Sequence, residues 1–360
     1  MITLRSVIEQ LTTEGHLTPE SAEEISLNIT NSPVSSNFPW YIQAIIGVSA
    51  WIAAIPMIGF ITTFTNIMGD KFGLMIIGFL YCLIAIVLRY AFPHQIFVTQ
   101  ATLATNLAGQ MIFMGGLYQL TENTTTTIIA FMLIQLLMIA IYPDGVQRFI
   151  STMLTPLACV ALLWEWEALQ IIHLLILIVG AKLAVIWEFD TYLATFISAH
   201  IYRPVAYGLA VSLMLLLTFW FNFVLDDPSL KIGNWWFSGL GLLFGLLLLE
   251  YVILTTAPLQ ATPVTQGLIL GGTSLLLLPV LQAPGIIAAL MVLGLGYHRK
   301  DYTLLGIAAA FLVIFMSGFY YQLHFTLLTK SIMLMGTGLA FLVAYLIVSQ
   351  RGKQNEMATL

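Results

Sequence analysis

From Trp40 to Val348 the chain is a succession of apolar runs of roughly 20 residues, each long enough to cross a hydrocarbon core about 30 Å thick. Charged residues, prolines and Asn or Asp clusters cut these runs into twelve predicted spans. Their limits are 40–61, 73–90, 97–118, 127–142, 149–166, 168–187, 205–225, 235–257, 265–282, 284–298, 303–320 and 330–348. The pattern predicts an all-α fold, a polytopic transmembrane helical bundle of about 12 spans. Two divisions rest on short interruptions, at Glu165 and Glu167 and from Gln282 to Pro284. If either pair were one broken re-entrant element, ten or eleven crossings would be left.

The third run, Phe97 to Tyr118, carries an unusual polar load. Thr99, Thr102, Asn106 and Gln110 follow at steps of three, four and four, which places them on one face of a helix. Ala101, Thr105 and Gly109 form a small-residue line beside it, of the kind that lets helices approach closely. A face this polar cannot look at lipid, so the helix is expected at the centre of a bundle. Gly241 with Gly245, and Gly267 with Gly271, have the same small-xxx-small spacing and read as packing features.

The pattern changes at both ends. Leu4, Val7, Ile8 and Leu11 have the spacing of an amphipathic helix that stops near Gly15. Thr18 is placed to N-cap a second helix, with Pro19 in its first turn, acidic Glu20, Glu23 and Glu24 after it, and Ala22, Ile25 and Ile29 on one face. Residues 1–37 are therefore a predicted cytoplasmic helical hairpin with its linker, 38–348 the membrane bundle, and 349–360 a cytoplasmic tail. Between the sixth and seventh spans, Phe189, Leu193, Phe196, Ile197 and Ile201 oppose Asp190, Thr191, Ser198 and Arg203, which predicts a helix over Glu188 to Pro204 lying in the membrane interface. No internal repeat is visible, since the polar third span has no counterpart in the ninth.

Composition agrees with the pattern. With 59% hydrophobic and 8% charged residues and a mean hydropathy of +0.95, the lipid bilayer is the main solvent. The net charge of -5 and thinly spread basic residues leave no patch for nucleic acid. Cys82 and Cys159 lie within apolar spans and read as small packing residues. The acidic opening segment does not resemble a cleavable signal peptide. Charge also orients the chain. With the amino terminus inside, Arg5, Arg89, Arg148, Arg203, Arg299, Lys300, Arg351 and Lys353 fall on the cytoplasmic side, against Lys71, Lys231 and Lys330 outside. Both termini are thus expected in the cytoplasm.

Three sets of residues are candidates for function. Thr99, Thr102, Asn106 and Gln110 would line a solute or water path, or would hydrogen-bond within the bundle at about 0.6 kcal/mol per bond. Lys182 and Glu250 lie at matching depth and would form an intramembrane ion pair, unless Lys182 simply snorkels to the nearby surface. Tyr320, Tyr321, Gln322, His324 and Lys330 crowd one interface, as a partner or lipid contact or as an aromatic belt. His173 reads as hydrogen-bonded packing. The acidic outer loops, with Asp70, Glu122, Glu165, Glu167, Asp226 and Asp227, need no explanation beyond their lack of Lys and Arg. No hydrolase, P-loop or metal-binding motif is present, so no catalytic residue, metal or cofactor is predicted.

The segments PWYIQAIIGVSAWIAAI, NLAGQ, YPDGVQRF, YHRKDYTLLG and YYQLHFTLLTKS together resemble the bacterial membrane family called domain of unknown function 4401. The opening LTTEGHLTPESAEEI is similar to the cytoplasmic head of a related membrane family. The resemblance implies a multi-pass protein of the bacterial inner membrane. It also implies a possible partner, a small membrane-anchored protein encoded nearby and named for a Gly-Asp-Tyr motif. It brings no activity and no functional residues. Two functions are carried forward: a non-enzymatic membrane scaffold that assembles with a partner membrane protein, and a transporter or channel for a small solute or lipid.

Overall fold

Apolar runs without water to satisfy their backbone must make their hydrogen bonds internally, and the structure is helical throughout the apolar segments it describes. It is a computed structural model that describes residues 71–93, 95–196, 198–223, 235–256 and 263–322, with isolated positions at 12, 21, 49, 52, 56, 59, 63 and 335. The predicted cytoplasmic hairpin, the first and twelfth predicted spans and the tail lie outside the described residues, apart from those isolated positions. The chain divides into two compact units, Met1–Asn123 and Thr124–Leu360.

In the first unit, helices α1 (Lys71–Ala91) and α2 (Ile96–Thr121) form a hairpin. Pro93 follows the end of α1, and Arg89 reaches forward to donate to the Pro93 carbonyl over 2.9 Å. At the other end Lys71 and Glu122 pair at 3.5 Å, both well exposed. Glycines set the separation of the two helices. A methyl group on Gly109 would lie 2.8 Å from the Gly78 carbonyl oxygen, and one on Gly116 would lie 2.8 Å from the Met75 nitrogen. The small-residue line read from the sequence thus reaches α1 at Gly109.

The second unit contains α3 (Thr124–Ile141), α4 (Gly145–Glu165), α5 (Ile172–Glu188), α6 (Asp190–Phe196), α7 (Ala199–Phe223), α8 (Trp236–Thr256), α9 (Pro263–Leu277), α10 (Pro284–His298) and α11 (Tyr302–Gln322). Short 3-10 turns at Leu169–Ile171 and Leu278–Val280 precede α5 and follow α9. The core lies between α7 and α10: Leu213, Met214, Leu216 and Leu217 meet Ile287, Ala288, Val292 and Leu295, with Ile172, Ile176 and Leu183 of α5 and Leu242 and Leu246 of α8 around them. Helix α10 spans only about 22 Å at 1.5 Å per residue, and it is buried along most of its length among α7, α8 and α11. Neighbouring protein, rather than lipid, surrounds it.

Among the described residues, eight helical segments are long and apolar enough to cross a membrane: Lys71–Ala91, Thr124–Ile141, Gly145–Glu165, Leu169–Glu188, Ala199–Thr218, Trp236–Thr256, Pro263–Val280 and Tyr302–Tyr320. This is a multi-pass membrane protein. Helix α2 is long enough, about 39 Å at 1.5 Å per residue, but its polar face keeps it out of that set. The division at Glu165 and Glu167 separates two helices that are each of spanning length, joined by a turn in which Glu167 adopts φ 52°.

Two expectations need correction. The interfacial helix over Glu188 to Pro204 is not one element: α6 ends at Phe196, and residues from Ala199 already belong to α7. Pro204 therefore sits inside a helix rather than before one. Gly267 and Gly271 do not serve close packing among the described residues, since nothing lies within 4 Å of a methyl group placed on either. Gly241 does, facing Leu177 of α5.

Candidate functional site

The polar face of α2 is buried. Thr102, Asn106 and Gln110 are at most 2% exposed, while Thr99 is half-buried. Its hydroxyls are spent locally: Thr99 donates to the Gln95 carbonyl at 3.0 Å, Thr102 to the Thr99 carbonyl at 3.0 Å, and the adjacent Thr105 to the Ala101 carbonyl at 2.7 Å. Cys82 of α1 donates its thiol to the Asn106 carbonyl at 3.6 Å. Asn106 and Gln110 carry further interactions of their own.

Lys182 and Glu250 do not form an ion pair. Gly180 marks the side of α5 that faces Leu242 of α8, and Lys182, two residues on, points about 200° around the helix. Lys182 is exposed, and Cys159 of α4 lies in its field. Glu250 is half-buried on α8 beside Thr273 of α9. Matching depth was not enough, because the two side chains leave their helices in different directions. His173 behaves as packing: its Nδ1 lies 3.3 Å from the Ser238 hydroxyl, which itself donates to the Trp235 carbonyl at 2.9 Å. Of the aromatic and basic interface set, Tyr320 is half-buried at the end of α11; the side chain of Tyr321, and His324 and Lys330, lie outside the described residues.

The densest polar arrangement is one the sequence reading counted only as topological charge. It gathers the C-terminal ends of α3, α5 and α10 with the N-terminal ends of α4, α7 and α11. Asp144 caps α4 by accepting from the Val146 amide at 2.8 Å, and Gly145 leaves room for the Pro204 ring of α7. Arg148, buried one turn later, donates through Nε to the Ile139 carbonyl and through Nη1 to the His200 carbonyl, both at 3.1 Å. The first belongs to the last turn of α3, whose carbonyls have no partner within the helix. The second is the carbonyl that Pro204, lacking an amide proton four residues on, leaves without its helical bond. One guanidinium therefore satisfies two acceptors on two helices.

A parallel arrangement closes the other side. Arg299, at the end of α10, pairs with Glu188 at 3.0 Å and also donates to the carbonyl of Glu188, the last residue of α5. Lys300 turns the chain with φ 54°, and Asp301 then caps α11 by accepting from the Leu304 amide at 2.8 Å. The second carboxylate oxygen of Asp301 accepts from the Tyr207 hydroxyl of α7 at 2.6 Å, and Tyr207 stacks edge-on against Trp187 at 5.5 Å. Arg203 reaches Asp190 of α6 at 4.0 Å, with the arginine more than half exposed. Helix α7 is thus tied to α4 through Arg148 and to α11 through Asp301.

Most of these contacts lie in YPDGVQRF and YHRKDYTLLG. A family model described as "Domain of unknown function (DUF4401)" matches residues 39–351. The chain belongs to this family. No curated protein and no solved structure matches it. In this DUF4401 chain, then, two of the segments that carry the family resemblance are ones that join helix ends. A sequence signal for them did exist: an Asp before an apolar run is an N-cap, and a Pro six residues into a helix frees a carbonyl that a nearby arginine can take. Nothing in the sequence said which arginine would reach which carbonyl.

Proposed function

We propose that this chain is a non-enzymatic scaffold of the bacterial inner membrane, inserted with its arginine-bearing helix ends in the cytoplasm and assembling with a small membrane-anchored partner. One observation carries the reading: the polar side chains of the described helices are largely spent on the chain's own backbone. The hydroxyls of Thr99, Thr102 and Thr105 bond within α2, and Arg148 and Arg299 bond helix-end carbonyls. Burial of Thr102, Asn106 and Gln110 supports a dry seam that holds helices rather than a path for solute.

Single cysteines at Thr102, Asn106 and Gln110, in a background lacking Cys82 and Cys159, test this. All three are expected to resist a membrane-impermeant thiol reagent, with Tyr302→Cys as the reactive control. Graded reactivity along the three positions would support a transporter or channel instead. Removal of the neighbouring small protein is expected to lower the abundance of this chain in the membrane, and unchanged abundance would count against the partner.

A further inference from the structure

Glu250 is unlike the other acids of the described helices. Asp144 and Asp301 cap helices, and Glu188 and Asp190 face arginines, all at helix ends. Glu250 instead lies within α8, about 21 Å from Trp236 at 1.5 Å per residue and about 9 Å short of Thr256. Its Oε2 is buried and makes no hydrogen bond. Among the described residues no cation compensates it: helix α9, packed alongside, has no titratable residue over Pro263–Leu277 and offers only the Thr273 hydroxyl beside the carboxyl.

The remaining described neighbours offer a charge nothing beyond that one hydroxyl. Helix α10 bears Tyr297 and His298 only at its end. On α5, Lys182 points away toward Cys159, Glu188 is held by Arg299, and His173 is bound to Ser238 at the opposite end of the helix. A carboxylate at membrane depth without a counter-charge costs several kcal/mol, and the cheapest remedy is a proton. Two oxygens are far too few for a sodium or calcium ion, which needs about six.

We propose that Glu250 is a membrane-depth proton-binding site, holding its carboxyl as the neutral acid against Thr273 at the seam between α8 and α9. Loss of the proton would leave a charge there with no partner, so protonation is coupled to the packing of α9 on α8. The site stands apart from the scaffold reading, which makes no use of Glu250.

The test uses the full chain in mild detergent, treated with the apolar reagent dicyclohexylcarbodiimide, which attacks protonated carboxyls in apolar surroundings. At neutral pH the adduct is expected on Glu250 and not on the capping Asp144 or Asp301, as read by peptide mass spectrometry. Glu250→Gln is expected to abolish it while keeping the elution profile of the parent, and Glu250→Asp to restore it. Thr273→Val is expected to change the labelling rate, whereas Thr265→Val, two turns away on α9, is not. The proposal falls if Glu250 stays unlabelled at neutral pH, whether or not the label appears near about pH 4, where an ordinary solvated carboxylate takes up its proton. Equal labelling of Glu250 and the capping carboxylates would overturn it as well.

Discussion

Arg148 shows how a single side chain can hold an irregular helix in place. Pro204 removes one hydrogen bond from α7 and leaves the part-buried His200 carbonyl without its helical donor, a loss of about 0.5–1.5 kcal/mol if nothing replaced it. The planar guanidinium replaces it and, with another donor, reaches Ile139 on α3. A lysine has one compact donor group and cannot bridge two carbonyls in fixed directions. Arg148→Lys is therefore expected to lower the thermal unfolding temperature in detergent clearly, while Arg203→Lys, at a half-exposed 4.0 Å contact, leaves it nearly unchanged. The double substitution is diagnostic. In a Pro204→Ala background the amide at position 204 can bond His200, so Arg148→Lys should cost less than in the parent. Equal costs in both backgrounds would show that the guanidinium does not serve the proline.

At the scale of elements, α1 and α2 depend on the absence of side chains. Backbone meets backbone at Gly78 and Gly109, and again at Gly116 and Met75. In lipid, where apolar burial between helices yields little, such contact is a main source of association. An alanine at Gly109 or Gly116 must push the hairpin apart, at about 1–3 kcal/mol by the usual cost of overpacking. Gly115, adjacent in sequence, meets nothing within 4 Å among the described residues. Gly109→Ala and Gly116→Ala should thus lower detergent stability, and Gly115→Ala should not; the same contrast is expected between Gly241→Ala, which meets Leu177, and Gly267→Ala, which meets nothing described. Alanine is the better helix former, so equal harm from Gly115→Ala and Gly116→Ala would show that the close approach to Met75 is not what Gly116 serves. The sequence named Gly241 and Gly267 alike because spacing alone cannot say which helix faces are occupied.

For the whole molecule, the second unit collects Arg148, Arg203 and Arg299 at one set of helix ends, with Trp166 after α4 at a turn between the other ends. If the positive-inside rule holds, the arginine ends face the cytoplasm. Tyr302→Cys, 85% exposed beside that cluster, should react with an impermeant thiol reagent in inside-out vesicles only, and Trp166→Cys in right-side-out vesicles only. The reverse pattern would invert the chain, and reaction of both from one side would mean that α4 or its neighbours do not cross.

Much of this could be read without coordinates, for a simple reason. A helix in lipid must be apolar over about 20 residues, and this requirement acts on each segment by itself, so most of the described helices appear in the sequence as apolar runs, although the break between Phe196 and Ala199 does not. The polar face of α2 and the caps at Asp144 and Asp301 are local in the same sense, set by residues within one or two turns. Pairing between helices is not. Whether Lys182 meets Glu250 depends on the rotation of α5 and α8 about their axes, and depth along a span carries no information on that angle. Which carbonyl Arg148 takes, and whether Arg299 reaches Glu188 more than a hundred residues away, depends on helix ends brought together by the packing of α7 and α10. The sequence alone determined the helices, their apolarity and their caps; only the tertiary structure decided which faces meet, because those choices are made by pairs of distant segments and not by any one of them.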